Sequence, residues 1–277
     1  MNRKIDFLAL LITLLLTACN GNSPSNRRII TVTIEPLRYF TEQIAGDKFT
    51  VKTMVPDGGN PETYEPTARQ MIDLSVSDLY IKVGNIGFER TWMKRLEANA
   101  PHTIIINSSN GIALADDSMH IHDPHTWMST GNAMRIARNI YKALTEIDSK
   151  DSLLFKKNLE RLTGKIEAIN TQIRKEITKD KSNAFLIYHP ALTYFAREYC
   201  LRQITIEEDG REPSAMQLKQ IISTARQNHV KIIFIQREFD NRNTDIVAKS
   251  TGAEKVEINP LSYDWDKEMI KIAQALK

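Results

Sequence analysis

The stretch DSLLFKKNLERLTGKIEAINTQIRKEIT, residues 151–178, decides the fold. The apolar residues of its stripe are Phe155, Leu159, Leu162, Ile166, Ile169, Ile173 and Ile177, in steps of four and three. That spacing draws a single apolar stripe along an α-helix. At 1.5 Å per residue such a helix is roughly 40 Å long, more than one small domain needs. A run of about three to four heptads would also suit a two-stranded coiled coil. The sequence on either side favours a strut packed along two lobes.

Upstream, strand and helix alternate. Strands are expected at 29–34, 50–55, 78–83 and 103–106, with helices at 36–45 (closed by Gly46), 68–76 and 91–98. A further helix is expected at 130–147, with Ile136, Ile140, Leu144 and Ile147 on one face. Downstream the same rhythm returns, with strands at 184–188, 231–236 and 255–258 and helices at 191–200, 213–227, 243–250 and 264–276. Such alternation is the signature of parallel α/β sheets. The expected fold is α/β: two lobes with parallel sheets, an N-terminal lobe at 29–148, a linking helix at 149–179 and a C-terminal lobe at 180–277.

The chain has 277 residues, 42% of them hydrophobic, and 37 basic against 34 acidic residues for a formal charge of +3. That balance, without a basic-aromatic stripe, argues against a nucleic-acid partner. Residues 1–19 read as an export signal: Arg3 and Lys4, then an apolar run at 7–16 too short to span a bilayer. The run ends in Leu16, Thr17, Ala18 and Cys19, which resembles the bacterial lipobox and makes Cys19 the expected lipidation site. Residues 20–28 then form a flexible tether. Cys200, the remaining cysteine, rules out a disulfide framework within the mature chain and is expected as a small buried hydrophobe on a helix.

Three of the six histidines, His120, His122 and His125, fall within six residues, ahead of Trp127 and a helix start. Neutral imidazole suits zinc and other borderline metals. In open α/β sheets, ligands bind beyond the carboxyl ends of the strands. Glu62 follows the strand at 50–55, His189 the strand at 184–188, and Asn259 the strand at 255–258, with Asp264 a little further on. A cleft between lobes would let these residues meet His125. Glu65, Glu207, Glu208 and Asp209 read as surface acids, and His102 and His229 as structural or exposed.

At these residues the chain resembles the ZnuA- and TroA-like cluster of ABC-transporter substrate-binding lipoproteins, which capture zinc or manganese. The resemblance rests on Gly-x-x-Pro-x-x-Tyr-Glu-Pro at 58–66, Asp-Pro-His-x-Trp at 123–127, the histidine and aromatic helix at 189–199, Glu-Pro-Ser at 212–214 and Pro-Leu at 260–261. It implies two α/β lobes joined by one long helix, with the metal held between them. His125 and His189 match the family pattern directly, and the histidine at 189 resembles the zinc branch. The family usually has His where this chain has Glu62, and Asp where it has Asn259.

The implied function is extracytoplasmic metal capture by a monomeric, lipid-anchored protein that delivers its ion to an ABC transporter permease in the membrane. Zn2+ is the first expectation and Mn2+ the alternative. Asn259 is expected as a weak donor, with Asp264 or water completing the site, and His120 and His122 as an accessory collecting site. The same donors could build a hydrolytic zinc site, but there is no His-Glu-x-x-His helix, so a non-enzyme is expected. An adhesin in which the metal only stiffens the fold is the third reading.

Overall fold

The computed structural model describes residues 28–115, 122–177, 183–207, 211–236 and 242–277. Cys19, His120, Glu208 and Asp209 lie outside these residues. The first sheet contains β1 (Arg28–Ile34), β2 (Phe49–Val55), β3 (Ser77–Lys82) and β4 (Ile104–Asn107), in the order β2-β1-β3-β4. The second contains β5 (Ala184–Ile187), β6 (Arg202–Thr205), β7 (Ile232–Gln236) and β8 (Glu254–Ile258), in the order β6-β5-β7-β8. Among the described residues, these strands all pair in parallel. Parallel strands need crossovers, and helices supply them here, so the central strands are covered on both faces and read as apolar runs.

The first lobe carries α1 (Glu35–Ala45), α2 (Ala68–Ser75), α3 (Gly87–Asn99) and α4 (Thr130–Ile147). The long helix α5 (Ser152–Glu176) follows a short 3-10 turn at Ser149–Asp151. The second lobe carries α6 (Thr193–Glu198), α7 (Ala215–Gln227), α8 (Arg242–Thr251) and α9 (Trp265–Ala275).

Helix α5 buries Phe155, Leu162, Ile166, Ile169 and Ile173 of the expected stripe and one polar residue, Asn158, while Leu159 and Ile177, the latter just past the helix end, are partly buried. That face packs on α1 and α4 of the first lobe and on α9 of the second, so the stripe is filled within the chain rather than by a coiled-coil partner. Asn158 is buried because its amide donates to the carbonyl of Ile44 at 2.9 Å, satisfying the C-terminal end of α1. Lys165 bridges to Asp266 at 2.5 Å on α9.

The lobes share one hydrophobic cluster, which runs from Ile30 and Phe40 through Trp127 and Phe155 to Phe195, Phe234 and Trp265. Two indoles sit at its centre. Trp127 Nε1 donates to the carbonyl of Pro260 at 2.7 Å, and Trp265 Nε1 donates to the carbonyl of Trp127 at 2.8 Å. Helix α4 is also capped from the other lobe, since Glu198 accepts from the amides of Thr130 at 2.8 Å and Gly131 at 3.1 Å. A carboxylate at a helix N-terminus is favoured by the helix dipole.

Three local expectations need correction. Helix α3 begins at Gly87, four residues earlier than the apolar pattern suggests, because Glu89 in its first turn folds back to accept from the amides of Val83 and Gly84, both at 2.7 Å. Strand β6 gives no clear sequence signal, since only Ile204 of its four residues is an apolar β-former. Cys200 is exposed rather than buried. It stands at φ 56° just past α6, where Leu201 N–H donates to Ala196 O at 2.8 Å, so it takes the left-handed helix-ending position usually given to glycine.

Candidate metal centre

The carboxyl ends of both sheets converge on one small cavity lined by Asn60, Pro61, Glu62, His125, His189, Ala191, Gln236, Pro260 and Leu261. The cavity is small, with room for an ion and the water that would accompany it. Of the sequence-derived candidates, Glu62, His125 and His189 line it.

His125 is fixed from its own loop. Asp123 Oδ1 accepts from the His125 backbone amide at 2.8 Å and from its ring Nδ1 at 2.9 Å. Both side chains are buried. Burial pushes the Asp123 carboxyl up, but the adjacent imidazole and the hydrogen bonds from His125 and Thr193 outweigh it and hold the pKa below the ordinary aspartate value. The carbonyl of Asp123 also accepts from Tyr194 Oη at 2.8 Å, which ties this loop to α6.

His189 repeats the arrangement with a partner from another strand. Its Nδ1 lies 2.8 Å from Glu207 Oε1, and Glu207 is only 7% exposed. Gln236, at the end of β7, holds the His189 backbone from both sides, accepting from its amide at 3.3 Å and donating to its carbonyl at 2.9 Å. An ionised carboxylate only accepts hydrogen bonds, so each imidazole carries its proton on Nδ1. A ring set this way ligates metal through Nε2 and is made more basic by the carboxylate behind it. The two rings lie edge to face with centroids 5.1 Å apart.

Glu62 arrives on a turn built by Asn60, whose side-chain oxygen accepts from the Glu62 amide at 2.9 Å. Its carboxylate is turned toward the start of α3, with Oε1 accepting from Gly87 N–H at 3.4 Å and Oε2 pairing with Arg90 Nη2 at 3.1 Å. Among the described residues, no three His, Cys, Asp or Glu side chains stand together as a ready-made metal cluster.

Asn259, expected as a weak donor, and Asp264, expected as one of two groups that complete the site, both lie outside the cavity lining. Asn259 Nδ2 donates to Asp57 Oδ1 at 3.3 Å and its Oδ1 accepts from Leu261 N–H at 3.0 Å, so the amide is occupied by its own turn and by the first lobe. Pro260 and Leu261, not Asn259, reach the cavity. Asp264 precedes α9, is exposed, and pairs with Lys267 at 3.0 Å. The turn at Pro260 folds back toward the cavity, but it brings its apolar residues inward.

Two members of the centre are not evident from sequence. Glu207 reads as a surface acid because it opens an acidic run, yet it follows β6 and is buried behind His189. Gln236 ends a strand next to β5, the position from which a side chain can reach the His189 backbone. His122 is exposed and lies outside the lining, its carbonyl accepting from Asn85 Nδ2 at 2.9 Å. His102 and His229 are exposed and also lie outside it.

Known proteins share this fold and part of this sequence. The chain is 26% identical over 273 residues to the high-affinity zinc uptake system protein ZnuA of Bacillus subtilis (strain 168), covering 90% of this chain and 85% of that protein. A crystal structure of ZnuA is 34% identical, with a TM-score of 0.86 over 90% of this chain and 97% of its own. A manganese-bound periplasmic metal binding protein from candidatus Liberibacter asiaticus shares the fold at 24% identity, with a TM-score of 0.81 over 91% of this chain and 100% of its own. Residues 30–276 match the model of the family described as ZnuA, zinc-uptake complex component A, periplasmic, and the chain belongs to that family.

Proposed function

We propose that this chain captures a divalent transition metal outside the cytoplasm and delivers it to the permease of an ABC transporter. The observation that carries the reading is the pair of imidazoles at one cavity, each held through Nδ1 by a buried carboxylate. The proposed ligands are Nε2 of His125, Nε2 of His189 and the carboxylate of Glu62, with water completing the shell. Two imidazoles, one carboxylate and a water suit tetrahedral zinc. Manganese favours more oxygen donors and is the second reading, supported by the manganese-bound relative.

The anchor belongs to the same proposal. Among the described residues no helix is long and apolar enough to cross a membrane. A lipid on Cys19 would keep the body at a membrane surface, joined to it by the few residues between Cys19 and β1. The body acts as a monomer and needs no nucleic acid, and no catalytic step is assigned to it. Titration calorimetry with zinc and with manganese tests the reading. One zinc ion per chain, bound more tightly than manganese, is expected. Tighter manganese binding would reverse the cargo, and no binding of either metal would remove the function.

A further inference from the structure

The carboxylate of Glu62 lines the cavity but is held elsewhere. Arg90 Nη2 contacts its Oε2 at 3.1 Å while Arg90 Nη1 donates to the carbonyl of Asn85 at 2.6 Å, so the guanidinium is braced on backbone. The other oxygen, Oε1, accepts from the first amide of α3, Gly87 N–H. Gly87 makes room for this, since a Cβ there would lie 2.0 Å from Glu62 Oε2. The carboxylate is thus parked on a helix N-terminus and under a permanent positive charge.

We propose that Arg90 is a positioning residue that competes with the metal for Glu62. The cleft exchanges a guanidinium for the ion on loading and takes it back on release. This deepens the cargo reading above and rests on it. Three features of the chain support it.

First, the pair is partly solvated, with Arg90 45% and Glu62 34% exposed, and exposed ion pairs are weak enough to exchange. Second, the two imidazoles are locked by buried carboxylates whereas Glu62 is not, so it is the ligand with freedom to move. Third, Asn85, which braces Arg90 by its carbonyl, donates its side-chain amide to the carbonyl of His122. The brace therefore reaches the segment that carries Asp123 and His125.

Arg90→Gln removes both the competitor and a positive charge beside the incoming cation. Zinc affinity, measured with zinc alone against a chelating indicator, should tighten roughly fivefold, the scale of one partly exposed ion pair. Stopped-flow release into excess chelator should slow by a similar factor. The gain should shrink in a Glu62→Gln background, because there is then no carboxylate to compete for and only the loss of the positive charge remains. Arg90→Lys keeps the charge with one point contact, so it should fall between wild type and Arg90→Gln.

Affinity unchanged or weakened in Arg90→Gln, or the same gain in the Glu62→Gln background, would overturn the proposal while leaving metal capture intact. Wild-type protein that takes no zinc would remove both. Thermal melting of the metal-free variants accompanies the titrations. Arg90→Lys provides the same comparison if Arg90→Gln proves unstable.

Discussion

Glu207 holds His189 from behind, Oε1 to Nδ1 at 2.8 Å, although the two residues come from the ends of different strands, β6 and β5. Asp123 does the same for His125 from two residues away. One imidazole is therefore oriented by a local turn and the other by sheet pairing. Both carboxylates should matter although neither is proposed to touch the ion. Glu207→Gln and Asp123→Asn should each weaken zinc binding by about tenfold to a hundredfold, the usual cost of losing such a partner. Calorimetry checks this, and an unchanged affinity in both variants would mean that the imidazoles need no support.

The two tryptophans make a separate prediction about rigidity. Trp265→Phe keeps an aromatic ring in the core but leaves the carbonyl of Trp127 without its indole donor. The expected cost is about 1–3 kcal/mol of unfolding free energy. Trp127→Ala removes a fully buried side chain that packs between the lobes and should cost about 3–5 kcal/mol. Urea denaturation of the metal-free protein measures both, and equal stabilities would show that the lobes do not depend on this contact.

Glu89 gives a pH signature unrelated to the metal. Burial raises its carboxyl above the ordinary glutamate value, against the opposing hydrogen bonds from Thr33, Gly84 and Val83. The folded state therefore binds this proton more tightly than the unfolded chain. Its contribution to stability is largest below the unfolded pKa and falls as pH rises through the raised value. The difference in unfolding free energy between wild type and Glu89→Gln should shift against wild type over that interval and level off above it. A difference independent of pH from the acid range to neutrality would contradict the assignment.

Asn259→Asp distinguishes the sequence-based expectation from the structural one. Read as a cavity residue, the new carboxylate would tighten zinc binding. The structure places the side chain against Asp57 at 3.3 Å, so the substitution sets two carboxylates together and loses a donor. Stability should fall by roughly 1 kcal/mol and zinc affinity should stay within about threefold. Marked tightening would show that the turn can carry residue 259 into the cavity.

Much of the fold is legible in the amino-acid sequence. The four-and-three spacing of Phe155 to Ile173 survives as the buried face of α5, because a regular helix turns spacing directly into a surface. His125 and His189 are visible because a strand end and an Asp-Pro-His-x-Trp motif mark them locally. Glu207 and Arg90 are not, since each acts on a residue 18 or 28 positions away and nothing in its own neighbourhood marks the partner. Asn259 falls in the expected turn but on the other side of it, a choice made by two hydrogen bonds that no periodicity encodes. Cys200 misleads because its left-handed backbone position is one that sequence patterns assign to glycine.

The central claim is that one cavity, built by His125 and His189, holds the cargo ion. The most direct measurement is the metal content of the protein purified without added metal and then equilibrated with zinc, in wild type and in the His125→Ala/His189→Ala double variant, with His102→Ala/His229→Ala as the control. One zinc ion per chain is expected in wild type and in the control, and none in the His125/His189 variant at the same zinc concentration. Equal zinc content in all three proteins would contradict the assignment of this cavity as the metal centre.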